Sequence, residues 1–170
     1  FQTMSYTIDM YYRKTEPART FLDFALFVTF FPQLVAGPIV RSRELIHQFY
    51  EEKRASIQQF FWGAFLLTLG LFEKVVMADG FLSTPADTVF GAGQALHPLD
   101  AWSGTLAFSG QIFFDFAGYS TCAIGIALML GIIITDNFRY PYAAIGFSDL
   151  WRRWHITLSA WLRDYIYFPL

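Results

Sequence analysis

Between Ile57 and Ala78 the chain reads IQQFFWGAFLLTLGLFEKVVMA, with no charged side chain before Glu73 and Lys74. About 20 such residues, each rising 1.5 Å, cross a hydrocarbon core roughly 30 Å thick. A run that is apolar on every side has no face to offer water, so lipid is the solvent it fits. In lipid every backbone N–H and C=O has to be satisfied within the structure, and a run of this length does so as a helix. Hydrophobic residues make up 55% of the chain and charged ones only 15%, against about 25% charged in soluble domains. A net charge of -2, with the basic residues in short clusters beside apolar runs, excludes a nucleic-acid surface and reads as membrane flanks. Glu73 and Lys74 sit near the end of the span, where Lys snorkels and Glu pairs, and neither is assigned chemistry.

The other apolar segments are less regular. Phe21 to Val40 is long enough to cross, yet Pro32, Gly37 and Pro38 interrupt it and Asp23 lies inside it. Basic clusters on both flanks (Arg13, Lys14, Arg19; Arg41, Arg43, Lys53, Arg54) predict a segment that dips in and returns, with QLVAGP as a cavity wall. A Pro-kinked spanning helix is the competing reading. RSRELIHQFYEEKR predicts an interfacial helix with Leu45, Ile46 and Phe49 on one face and His47 solvated. Asp79 to Asp100 has no Lys or Arg and reads as a loop facing away from the cytoplasm. Ala101 to Thr135, about 35 mostly apolar residues, predicts two segments joined at DFAGYS. Asp115 within it is either functional or the structural partner of an arginine from the last helix. Arg139, Arg152, Arg153 and Arg163 require an odd number of crossings after the acidic loop, which two full spans violate. The chain opens inside an apolar segment and stops at YFPL, so residues 1–170 are read as the central part of a longer membrane domain.

The lone Cys122 offers no disulfide, and His47, His97 and His155 lack metal-ligand spacing, so no metal is expected. The last stretch, DLWRRWHITLSAWLRDYIYFPL, is read as one helix. Its periodicity gathers Trp151, Trp154, Leu158, Trp161, Leu162 and Tyr165 into an arc roughly 100° wide, with His155 at the edge beside Arg152, Ser159 and Arg163. An imidazole at such a boundary is placed for general base work, with the arginines lowering its pKa. Plain packing, with the ring bonded to Ser159 or a backbone carbonyl, is the competing reading.

FFPQLVAGPIVR, GLFEKVVMAD, FFDFAGYS, FRYPY and the terminal stretch together resemble the membrane-bound O-acyltransferase (MBOAT) family, in its bacterial alginate O-acetyltransferase branch. The resemblance implies an all-α, multi-pass helix bundle of the inner membrane, with broken or re-entrant helices around a tunnel. It implies acyl transfer, most simply of acetyl, from a cytoplasmic-side donor such as acetyl-coenzyme A or an acyl carrier toward an extracytoplasmic polysaccharide such as alginate. No bound cofactor is implied; the partners are the bilayer and periplasmic polysaccharide-modifying proteins, with no nucleic acid. It places His155 of WRRWH in the active site and a second, required histidine in a later helix beyond Leu170. Where relatives carry an acid after Ser120, this chain has Thr121 and Cys122, so no role for that acid is carried over.

Acetyl transfer to a sugar hydroxyl needs a base for the proton and donors for the tetrahedral oxyanion. His155 is the catalytic candidate. Trp151, Arg152, Trp154, Ser159, Arg163, Asp115, Tyr119, Gly37 and Pro38 are candidates to line the tunnel or bind substrate. The alternatives are D-alanyl transfer to teichoic acid by a related protein, and a non-catalytic anchor or transport subunit for a periplasmic transferase.

Overall fold

The computed structural model describes residues 1–34, 36–93 and 97–169, and these contain helices and no strand. Two helices are long and apolar enough to cross a membrane, Ile57–Phe90 and Pro98–Met129. Both exceed the length a 30 Å core demands, so they tilt or project from it. Only 11% of the apolar window of the first is buried, against 33% of the second. Phe61, Trp62, Phe65 and Val75 on the first, with Trp102 and Leu106 on the second, are exposed, as lipid-facing or bundle-facing side chains are.

The long helices pack antiparallel through paired glycines. A Cβ on Gly63 would lie 2.5 Å from the Gly125 carbonyl oxygen, and one on Gly70 2.5 Å from that of Gly118. With no side chain between them the backbones approach closely, the packing available where lipid removes any hydrophobic drive between helices. The first helix runs past Ala78 to Phe90 through a π-helical segment, Phe72–Leu82, because its continuation also packs: Leu82 meets Gly110, Val89 meets Gly104, and Ala86 is buried. Much of the expected 79–100 loop is therefore helix.

The expected division of Ala101 to Thr135 into two segments is overturned by the uninterrupted helix Pro98–Met129. Pro98 starts it at a position where its missing N–H costs nothing, and the His97 ring accepts from the Leu99 N–H at 3.3 Å. Gly131, at φ 77°, ends it, with Ile132 N–H donating to the Ala127 carbonyl at 2.9 Å. If each long helix crosses the membrane once, the single helix after the acidic stretch also satisfies the charge parity, with Arg139 on the side of Arg54.

Short helices gather at the end of the second long helix. Gln2–Tyr11 is followed by Phe21–Thr29, a helix too short to cross, and the chain then leaves helical geometry through a 3-10 turn, Phe31–Gln33. Asp23, odd as a residue within a span, is the N3 member of a capping box with Thr20. Ser42–Phe49 buries Leu45 and Ile46 and leaves His47 exposed, as an interfacial helix would. Phe27, Phe30, Val40, Leu45 and Ile46 pack against Ala123, Ala127, Ile132 and Ile134, forming the core that fixes the loop after Gln33 in place.

Candidate active site

The expected single helix from Asp149 onward is broken. Gly146–Arg153 ends at Trp154, which is extended, and His155 takes the left-handed conformation (φ 44°, ψ 54°) before Ile156–Leu162 resumes and passes into a π turn, Arg163–Tyr167. A left-handed non-glycine residue costs about 1–3 kcal/mol and persists only where its surroundings over-determine it. Here the loop after the second long helix runs beside the break. Arg139 N–H donates to the Arg153 carbonyl and Ile156 N–H to the Asn137 carbonyl, both at 2.9 Å. The arc drawn for a continuous helix therefore splits. Trp154 packs edge-on to Phe138 (centroids 5.2 Å apart), whereas Trp161 is buried between Phe1 and Tyr165.

The break turns His155 into a cavity of about 310 Å³. Its walls include Gln33, Gly37, Ile39, Phe116 and Leu158. Phe116 meets the imidazole edge-to-face, centroids 4.6 Å apart. Burial lowers the His155 pKa below its ordinary value, which keeps the ring neutral near pH 7 with a lone pair free to take a proton. The cause is burial, not the like-charge repulsion expected from Arg152 and Arg163. Ser159 does not bond the ring; its hydroxyl donates to the Trp154 carbonyl at 3.4 Å.

Opposite the imidazole, Gly37 allows the loop to fold on itself: a Cβ there would lie 2.3 Å from the Pro32 carbonyl oxygen. Tyr119, on the second long helix, donates from its hydroxyl to the Leu34 carbonyl at 2.9 Å and so tethers this wall without lining it. Pro38 is fully buried behind the wall. Val35 of the QLVAGP wall lies outside the described residues. Gln33, which the sequence did not single out, is 4% exposed, with its Nε2 donating to the Phe27 carbonyl and its Oε1 without a partner among the described residues.

The remaining candidates lie elsewhere. Trp151 and Trp154 line a separate pocket with Ser109, Ile112 and Tyr142. Arg152 is exposed, and Arg163 pairs with Asp164 at 2.7 Å. Asp164 is shared with Arg41 at 2.5 Å, and these contacts, that with Arg163 foremost, hold its carboxyl below the usual range. Asp115 pairs with Lys74, which also reaches Asp79 at 2.9 Å; the arginine partner foreseen for it is replaced by this lysine. Among the described residues no cluster of His, Cys, Asp and Glu is placed to hold a metal ion.

Sequence alone also missed Asn137, Ser120 and Thr157. The only signal was a polar residue opening NFRYPY. Asn137 is 1% exposed and stands behind His155, hydrogen-bonded to both others.

A family model for the membrane-bound O-acyltransferase family, MBOAT, matches residues 18–170. The chain is 45% identical over 170 residues to the probable alginate O-acetylase of Pseudomonas syringae pv. tomato, covering 100% of this chain and 32% of that protein. It is 46% identical over 152 residues to the peptidoglycan O-acetyltransferase of Helicobacter pylori, 88% of this chain and 29% of that one. The teichoic acid D-alanyltransferase of Bacillus subtilis is 31% identical over 150 residues, 83% of this chain and 36% of that one. The chain thus spans about a third of the length of these relatives.

Proposed function

Because the chain belongs to the membrane-bound O-acyltransferase family, we propose that the full-length protein transfers an acetyl group from a cytoplasmic-side donor toward an extracytoplasmic polysaccharide, and that His155 takes part as general base. The observation that carries this reading is His155 itself, a neutral, half-buried imidazole turned by a strained backbone into a cavity. In the transfer the acceptor hydroxyl gives its proton to the imidazole as its oxygen attacks the thioester carbonyl, and the thiolate leaves. The second histidine expected beyond Leu170 shares the work, either by stabilising the oxyanion or by protonating the leaving group.

The relatives at 45% and 46% identity are named for acetyl transfer and the one at 31% for D-alanyl transfer, which favours acetyl as the acyl group. Alginate is the favoured acceptor because the match to the alginate O-acetylase covers the whole chain. The donor, acetyl-coenzyme A or an acyl carrier, approaches from the face bearing Arg41 to Arg54. There Lys14, Arg41 and Arg43 border a pocket of about 520 Å³ on the far side of Trp161. The protein sits in the inner membrane as a multi-pass bundle and hands its product to periplasmic polysaccharide-modifying proteins.

The test is to identify the acyl groups released by mild base from surface polysaccharide and from peptidoglycan of cells with and without the full-length gene. Acetate lost from the polysaccharide on deletion is the expected result. Loss of D-alanine, loss of acetate from peptidoglycan alone, or no loss would each overturn it.

A further inference from the structure

The Asn137 side chain reaches both the second long helix and the His155 break, and through Thr157 the far wall of the cavity. Its Nδ2 donates to Ser120 Oγ at 3.2 Å, on the long helix. Its Oδ1 accepts from Thr157 twice, from Oγ1 at 2.9 Å and from the backbone N–H at 3.3 Å. Its own carbonyl accepts from Ile156 N–H at 2.9 Å, the first donor after His155. Thr157 Oγ1 passes the connection on, accepting from Ile39 N–H at 3.0 Å, and Ile39 lines the cavity with His155.

Every polar atom in this chain of contacts is used, and Asn137 and Thr157 are both buried, so water does not compete for the bonds. Three of the bonds to Asn137 fall on the two residues immediately after His155, Ile156 and Thr157. Without them only the Arg139–Arg153 bond is left to hold the left-handed turn, and a regular helix through Trp154 and His155 would swing the ring off the cavity. An amide is suited to this place because it donates on one side and accepts on the other without a charge.

Resting on the reading of His155 as base, we infer that Asn137, acting through Thr157, is a positioning residue for the transfer. It holds the imidazole at a fixed angle to the cavity wall and touches neither donor nor acceptor. The consequence falls on the rate of the chemical step and not on substrate binding, because misplacing a base by about 1 Å costs up to about 100-fold.

The experiment uses the full-length protein in membrane vesicles, with acetyl-coenzyme A carrying a labelled acetyl as donor and a polyuronate as acceptor, and rates taken per folded protein. Thr157→Val keeps the shape and removes the hydroxyl; Thr157→Ser restores it. The expected result is a kcat about 10-fold or more lower in Thr157→Val with KM within about 2-fold, and recovery of most of the rate in Thr157→Ser. Asn137→Ala is expected to lose at least as much, and combining it with Thr157→Val to add little further, since both break one connection. The isosteric Thr157 pair decides the matter if Asn137→Ala fails to accumulate. Unchanged kcat in Thr157→Val, or an equal loss in Thr157→Ser, would overturn the inference. His155→Ala separates the two claims. If that variant is dead while Thr157→Val is fully active, only the positioning role falls; if it is active, the base assignment falls and takes the positioning role with it.

Discussion

At His155, identity and environment have to be read separately. The imidazole at an aromatic and polar boundary was legible in the sequence, but the backbone that aims it was not. WRRWHITLSAW carries an unbroken helical period and no glycine or proline, so nothing local announces a left-handed residue. The break is imposed from outside the segment, by Asn137 and Arg139, whose bonds to it are long-range in sequence. The helical wheel consequently assigned Arg152, Ser159 and Arg163 to the neighbourhood of the ring, and the structure puts Phe116, Gly37 and Ile39 there instead. A pH dependence follows. Burial penalises the imidazolium, so the ring stays neutral below the ordinary histidine range, and transfer falls only as pH drops through this depressed value. Phe116→Ala admits water to the ring, raises the pKa and moves the acid limb of kcat to higher pH. A pH–rate series on wild type and variant checks it; an unmoved limb would mean that another group titrates.

Among the elements, those with local signals were readable. The helix Ser42–Phe49 follows from the shared face of Leu45, Ile46 and Phe49, and the span beginning at Ile57 from its unbroken apolar run. The division of Ala101 to Thr135 failed for a physical reason: length against hydrocarbon thickness does not tell two segments from one long tilted helix. What settles it is the partner. Gly63 with Gly125 and Gly70 with Gly118 hold the helices together over two turns, and no single stretch of sequence shows that pairing. Gly118→Val drives a side chain into the Gly70 carbonyl and is expected to destabilise the bundle by about 1–3 kcal/mol. Thermal unfolding of the full-length protein in detergent measures it, with Gly93→Ala, where a Cβ meets nothing within 4 Å, as the neutral control.

For the whole molecule, one crossing by each long helix would put Lys53 and Arg152 on one side of the membrane and the connection at 91–93 on the other. Single cysteines at Lys53, Gly93 and Arg152, in a background with Cys122→Ala, report this with an impermeant maleimide on intact spheroplasts. Gly93→Cys is expected to label at once, and the other two only after permeabilisation. Labelling of all three alike would remove both crossings. With that topology His155 follows a chain that has returned to the donor face, and its cavity is walled by the broken segment after Phe31. A thioester from one side and a hydroxyl from the other would then meet there. The claim on which the rest depends is that His155 performs this transfer. The most direct measurement is the initial rate of acetyl transfer by full-length His155→Ala against wild type at matched membrane abundance. The expected result is a loss of at least about 100-fold with the protein still folded and inserted. A rate within about 2-fold of wild type would contradict it, leaving the cavity without its base.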